Sequence, residues 1–298
     1  MDKEAKRHPR VSVIVPTTAS LQRTPLLKRA IESIRRSSQS FTLIIVVVNG
    51  SRFDDETCTW LRAQPDIQFD YQETPSLPNA LLRGRELVAT EFFSTLDDDD
   101  EYLDGATDDK MHRMLSAPNI DLVITNGYRN KNGVDDLLYL DLYLVSTHPL
   151  RSLMNFNWLH NCNALYRTTS VVADYFKDSH PYGEWTWLAF KLAMNEKKIG
   201  VLEKPTCRYH DTDQSLSKSE EYRNAYPPLF DRMLACAPPA NVARAIRKKK
   251  GAAWHDAAVT AMKNGNRVTA LKFHWRSLVA AGGLRYLSYS RYFLMTRG

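Results

Sequence analysis

Residues 94–103 read STLDDDDEYL, in which Asp97, Asp98, Asp99, Asp100 and Glu101 follow the end of an apolar segment without interruption. Five adjacent carboxylates repel one another, and nothing within the run neutralises them. What precedes them decides how they read. Residues 92–96 suit a strand, and earlier segments repeat the form. Residues 11–15, VSVIV, are β-branched and stop at Pro16. Residues 41–48, FTLIIVVV, are continuously apolar and break at Asn49-Gly50-Ser51, a turn sequence. Residues 67–71 suit a further short strand. Between these runs, Leu26, Leu27, Ala30, Ile31 and Ile34 recur at helical spacing behind Pro25, and residues 54–63 and 79–89 read as helices. Unbroken apolar strands alternating with helices predict an α/β fold, a mostly parallel sheet with helices on both faces. In such sheets ligands bind beyond the carboxyl ends of the strands. Thr17, Asn49 to Ser51 and the aspartates all fall at those ends, so three distant polar segments are expected to share one crevice.

The pattern then loosens. Residues 104–117 and 185–194 read as helices, and residues 122–125 and 164–166 as strands. Residues 137–145 are expected to be extended. From Leu229 onward the chain reads as almost entirely helical, with Pro238-Pro239 as a joint. This divides the chain into residues 1–105, 106–225 and a helical extension over 226–298.

With 298 residues, 43% hydrophobic, the chain can bury a sizeable core. No stretch approaches the roughly 20 apolar residues that cross a bilayer. The charged first ten residues carry no apolar signal core, and Cys58, Cys162, Cys207 and Cys236 are far apart, so a cytoplasmic protein with reduced thiols is expected. The net charge is +6, yet the basic residues concentrate late, in RAIRKKK at 244–250 and from Arg267 to Arg297. Such a tail suits a membrane surface or an anionic glycan, or else is a solvated helix face. A nucleic-acid role is not expected, because the acidic crevice repels a phosphate backbone.

Clustered carboxylates become stable when a hard divalent cation joins them. Mg²⁺ and Mn²⁺ take oxygen ligands, commonly one or two carboxylates together with substrate phosphates. A solvated acidic turn whose aspartate caps a helix is the bland alternative.

The ordered set VSVIVPTT, IIVVVNGS and STLDDDD resembles the family 2 glycosyltransferases, over roughly the first 215 residues. The resemblance implies the GT-A fold and a nucleotide-diphosphate sugar as donor. It implies that Asp97 lies near the ribose or diphosphate, with Asp98 beside it, and that Asp99 ligates Mn²⁺ or Mg²⁺. Pro16, Thr17, Asn49 and Ser51 would border the nucleotide. The segment ALLRG at 80–84 is similar to the family's A-R-N-x-G helix start, with Leu81 and Leu82 replacing Arg and Asn; Arg83 would reach a phosphate. Val48 stands where the family often has an aspartate that bonds a uracil or thymine ring, so the usual reading of the base does not carry over.

Transfer with inversion needs a general base on the acceptor hydroxyl and a counter-charge for the leaving diphosphate. The stretch FKDSHPYGEWTWLAFKLA at 176–193 is similar to the family's G-E-D segment, with Gly183-Glu184 kept and Trp185 at the usual aspartate. Glu184 is thus implied as the base, with Asp178 as second candidate; the bland reading of Glu184 is a helix cap. CRYHDTDQSLS at 207–217 resembles the family's closing segment. It implies a metal- or diphosphate-facing His210, a donor-binding Arg208 and a loop that closes over the donor. Amides and aromatics in NFNWLHNCN, 155–163, suit either hydroxyl-rich ligands or a hydrogen-bonded loop; on the first reading Trp158 and His160 offer acceptor surface, together with Trp185, which could equally be a core residue.

The expected activity is therefore metal-dependent, inverting transfer to a glycan or lipid-linked acceptor of surface polysaccharide or lipopolysaccharide type. The C-terminal helices would contact a membrane or a second copy of the chain. The competing class is a non-catalytic or nucleotidyltransferase-like protein of similar fold. The glycine-free turn Pro16-Thr17-Thr18-Ala19-Ser20 counts against a nucleotidyltransferase, which needs a glycine-rich phosphate loop there.

Overall fold

The computed structural model describes residues 10–40, 42–211 and 219–294. The chain divides into two compact units. One comprises residues 1–179 and 191–212, and the other comprises 180–190 and 213–298.

The first unit carries, among the described residues, a nine-stranded sheet. Its opening half alternates β1 (Val11–Thr17), α1 (Thr24–Arg36), β2 (Thr42–Asn49), α2 (Asp55–Arg62), β3 (Ile67–Gln72), α3 (Leu77–Leu87) and β4 (Phe92–Thr95). Phe41, where the second strand was expected to begin, lies outside the described residues. β1 pairs in parallel with β2 and β4, and β2 in parallel with β3. Val13, Ile14 and Val15 on β1 and residues 44–48 on β2 are inaccessible to solvent. Strands covered on both faces have no polar face to alternate, and so their sequences run unbroken. Each fully buried Val or Ile contributes on the order of 1.5–3 kcal/mol relative to exposure.

The helices begin where their sequences provide for it. Asp54 accepts the amide of Thr57 at 2.8 Å at the start of α2, and Ser76 accepts that of Asn79 at 3.3 Å at the start of α3. Within α3, Gly84 lies directly on β1. A Cβ there would collide with the Ile14 side chain, so only glycine permits this approach.

The second half adds β5 (Glu101–Tyr102), α4 (Ala106–Ser116), β6 (Leu122–Lys131), β7 (Val134–Leu137), α5 (Pro149–Leu153), β8 (Ala164–Arg167), α6 (Asp174–Lys177) and β9 (Ile199–His210). The sheet order is β3-β2-β1-β4-β8-β6-β9-β5, with β7 paired to β6. β8 runs antiparallel to both β4 and β6, joining a parallel half to a mixed one. β6 is much longer than the expected 122–125, because its outer part pairs with β7 and β9.

Residues 137–145 are not one extended run. The strand ends at Leu137, and Leu142–Ser146 forms a 3₁₀ turn. Tyr139, Leu142 and Val145 are buried at a spacing of three, the repeat of a 3₁₀ helix, and Leu140 between them is 87% exposed.

α7 (Glu184–Met194) crosses the division, with Glu184 to Phe190 in the second unit and Lys191 onward in the first. The second unit otherwise holds α8 (Glu220–Ala235), α9 (Ala240–Lys263), α10 (Arg267–Val279), a 3₁₀ segment (Gly283–Ser290) and α11 (Arg291–Leu294). Helix begins nine residues before the expected Leu229 and continues through Pro227-Pro228, which remove two amide donors. Ser219 caps it through the Tyr222 amide, 3.1 Å, and of the ring contacts Tyr222–Tyr226 and Tyr226–Phe230, 5.3 and 5.9 Å between centroids, the first precedes the prolines and the second spans them.

Candidate functional site

β1, β2 and β4 are parallel neighbours, so Thr17, Asn49 and the turn after Thr95 reach the same edge of the sheet. The turn closes through the Asp100 amide on the Asp97 carbonyl, 3.2 Å, and folds the aspartates back on themselves. Asp97, Asp99 and Asp100 each bring a carboxylate oxygen to within 4.8 Å of the others. Burial and the neighbouring carboxylates push the Asp97 carboxyl well above the usual range, and burial with Asp99 alongside pushes Asp100 up to about 7. Three oxygen donors crowded against their own repulsion fit a hard divalent cation.

Asp98 is not one of this trio. It accepts the Arg23 Nε at 2.9–3.0 Å and is further held by the Arg23 fork and the Thr17 hydroxyl. Arg23 also pairs with Asp99 at 3.0 Å. Arg29 donates to the Asp99 carbonyl and pairs with Glu101 at 3.2 Å. The acidic run is thus partly neutralised by two arginines, one at the mouth of α1 and one further along that helix. Neither was singled out from the sequence. The only available signal was their position just after the first strand, where a cation shares the edge with the aspartates.

Asp100 is fixed from the other half of the sheet. Its oxygens accept Asn161 Nδ2 at 3.0 Å and the His210 amide at 2.9 Å. The His210 ring lies 2.8 Å from Glu101, so its backbone rather than its ring meets the trio. Asn161, within the amide-rich stretch, reaches the site, while Trp158 is a core residue. Trp158 is fully buried with its ring N–H on the Pro149 carbonyl, 3.0 Å, and shapes the loop from beneath. His160 is half-buried between Tyr139 and Tyr209, and burial lowers its pKa to about 4, which keeps the ring neutral.

Asn49 is buried and spent on structure: its amide donates to the Thr17 carbonyl at 2.9 Å and its oxygen accepts the Ser76 amide at 3.2 Å. It ties β1, β2 and the start of α3 together at the crevice. Pro16 is buried in register with Val47, and Ser51 is exposed. Arg83 forks onto Asp70 at 3.0 and 3.1 Å, and Arg208 onto Asp135 at 2.7–3.1 Å. The rest of the expected closing loop, 212–218, lies outside the described residues.

Glu184 and Trp185 belong to the second unit, and Asp178 to the first. Glu184 is half-buried at the start of α7, where its Oε1 accepts the Tyr182 amide at 3.0 Å. Burial raises its pKa. Its hydrogen bond is that of a cap and its raised pKa that of a proton acceptor, so both readings have physical content. Asp178 is exposed, and Trp185 is half-buried while Trp187 is packed within the unit.

Residues 12–175, more than half the chain, match the profile of glycosyl transferase family 2. Three solved structures of one Staphylococcus aureus protein, TarS, share the architecture. TarS residues 1–349 with UDP-GlcNAc align with a TM-score of 0.64 at 14% identity, covering 89% of this chain and 80% of that one. The same fragment with UDP aligns at 0.56 and 13% over 80% and 70%, and without ligand at 0.57 and 16% over 89% and 82%. No curated protein sequence matches the chain. A GT-A sheet with an aspartate trio at its carboxyl edge defines a sugar-transferring class. The chain belongs to glycosyl transferase family 2 and is a glycosyltransferase.

Proposed function

We propose that the protein is a metal-dependent, inverting transferase moving a sugar from a nucleotide diphosphate to a glycan or lipid-linked acceptor of surface polysaccharide or lipopolysaccharide type. The observation that carries this is the convergence of the Asp97, Asp99 and Asp100 oxygens within 4.8 Å. These residues would hold Mn²⁺ or Mg²⁺, and His210 would border it. When bound, the ion supplies Lewis-acid stabilisation of the leaving diphosphate. The TarS structures with UDP-GlcNAc and UDP support a uridine diphosphate sugar as the donor class to test first.

The chain's own groups have the remaining roles. Arg23 keeps Asp98 and Asp99 in place and lowers the cost of assembling so many carboxylates. Pro16, Thr17, Asn49 and Ser51 form the floor for the nucleotide, which must be read without the usual aspartate because Val48 is buried and apolar. Glu184 takes the proton from the acceptor hydroxyl, with Asp178 as the second candidate. Trp185 and His160 offer ring surface to the acceptor. Peripheral contact with a membrane, or pairing of two chains, is assigned to the C-terminal helices.

Melting curves with a panel of nucleotide diphosphates and Mn²⁺ test the reading. Parent protein should be stabilised by nucleotide only when Mn²⁺ is present, and Asp99→Ala should lose that response while keeping its own melting temperature. Equal protection of parent and variant would remove the metal assignment.

A further inference from the structure

The C-terminal helices leave an apolar face uncovered. Val268, Leu271, Trp275 and Val279 on α10 are 83%, 54%, 65% and 64% exposed, and Leu284 and Leu287 in the following 3₁₀ segment are 78% and 58% exposed. At 3.6 residues per turn the four α10 positions fall within about 80° of one another, while the buried Ala270, His274 and Ser277 fall on the opposite side. Leu278, three residues after Trp275, is half-buried, and Val279 completes the exposed face instead. Lys272 and Arg276 flank one edge of the stripe and Arg267 the other. Arg285 and Arg291 follow, stacked on Tyr286 and Tyr292 at 4.7 and 5.1 Å.

Two kinds of surface could cover such a face. Charge separates them. After Asp256 the remaining 42 residues contain no Asp or Glu, against seven Lys and Arg. Two copies meeting through this face would set cation against cation with no carboxylate from the same segment to pair them. An anionic lipid surface complements both features at once: apolar side chains enter the headgroup boundary, tyrosine and tryptophan rings sit at its depth, and flanking arginines meet the lipid charges. No helix among the described residues is long and apolar enough to cross a membrane, so the contact is lateral.

We infer that the exposed face of α10 and the 3₁₀ segment after it, Val268, Leu271, Trp275, Val279, Leu284 and Leu287 with their flanking arginines, is a docking surface for an anionic lipid bilayer. The inference gives the transferase reading above a definite partner, yet its test needs no sugar donor, so failure of one is visible apart from failure of the other.

The full chain should sediment with vesicles containing phosphatidylglycerol at low salt, and not with phosphatidylcholine alone or at high salt. L271S/W275S should weaken vesicle binding by about tenfold or more, since two large apolar side chains no longer enter the bilayer. Its melting curve should match the parent's because both positions are exposed. R276Q/R285Q should reduce the preference for anionic over neutral vesicles. Absence of sedimentation at low salt overturns the inference, as does binding that both variants retain. A concentration-dependent dimer that L271S/W275S dissolves, without vesicle binding, would assign the face to a second copy and overturn it equally.

Discussion

Glu184 has the most at stake of any single residue. Its carboxyl is raised by burial, so as a base it must lose its proton before it can act. The acid limb of kcat/KM should therefore lie above the ordinary carboxylate range, with activity falling as pH drops through it. Glu184→Gln keeps the shape and the cap-accepting oxygen. It should lower turnover by about two to four orders of magnitude, the usual worth of a general base, with donor affinity unchanged. Survival of turnover would make Glu184 a cap only and direct attention to Asp178. The meeting of the aspartates with Thr17 and Asn49 at one sheet edge was legible in the sequence because each segment directly follows a buried apolar strand. Their pairing was not. Arg23 and Arg29 lie far upstream, and no local pattern links a helix-mouth arginine to a carboxylate that tertiary structure brings beside it. Trp158 shows the opposite difficulty: an aromatic among amides suits a ligand and a core equally, and only its burial with the Pro149 contact separates the two.

Elements were read best where both faces of a strand are covered, since β1, β2 and β4 then announce themselves as uninterrupted apolar runs. The sequence misleads at residues 137–145, where a spacing of three resembles an extended aromatic stretch, and at α8, where two prolines hide a helix secured by its cap and its ring contacts. The close approach of α3 to β1 yields a prediction at this scale. Gly84→Ala places a methyl group against a β-branched side chain that cannot swing aside. It should destabilise the protein by about 1–3 kcal/mol, the range for overpacking a dense core, read as a lowered denaturation midpoint with unchanged slope. Gly84→Ala combined with Ile14→Val should recover part of the loss. A neutral single substitution would refute the tight packing of α3 on β1 at this position.

For the molecule as a whole, the stability of the sheet-bearing unit should respond to an unusual buried cation. Lys110 is inaccessible, donating to the Cys162 carbonyl at 3.0 Å and lying 4.0 Å from the centre of the Tyr102 ring. Burial lowers its pKa from 10.5 to about 8. Below pH 8 both folded and unfolded chains hold the proton, and the fold bears the full burial penalty. Between the two values the unfolded chain holds more protons, so stability should rise with pH, by an amount on the order of 3 kcal/mol. The difference between parent and Lys110→Met isolates this from other titrations: it should shrink from pH 8 to 10, whereas a constant difference would refute the shifted pKa. The arginines beside the aspartates carry a further consequence, one of timing. Arg23 stands 75 residues ahead of Asp98, and Arg29 stands 70 ahead of Asp99. A chain growing from its N-terminus therefore completes the first strand and helix, cations included, before the acidic run emerges. During synthesis the run follows segments that are already made. Refolding from denaturant offers no such sequence of events: all segments start together, and the carboxylates must find their cations across a long loop while repelling one another. Salt screens both that repulsion and the attraction to Arg23 and Arg29, so the refolding rate should depend on ionic strength in a way that vectorial synthesis makes unnecessary.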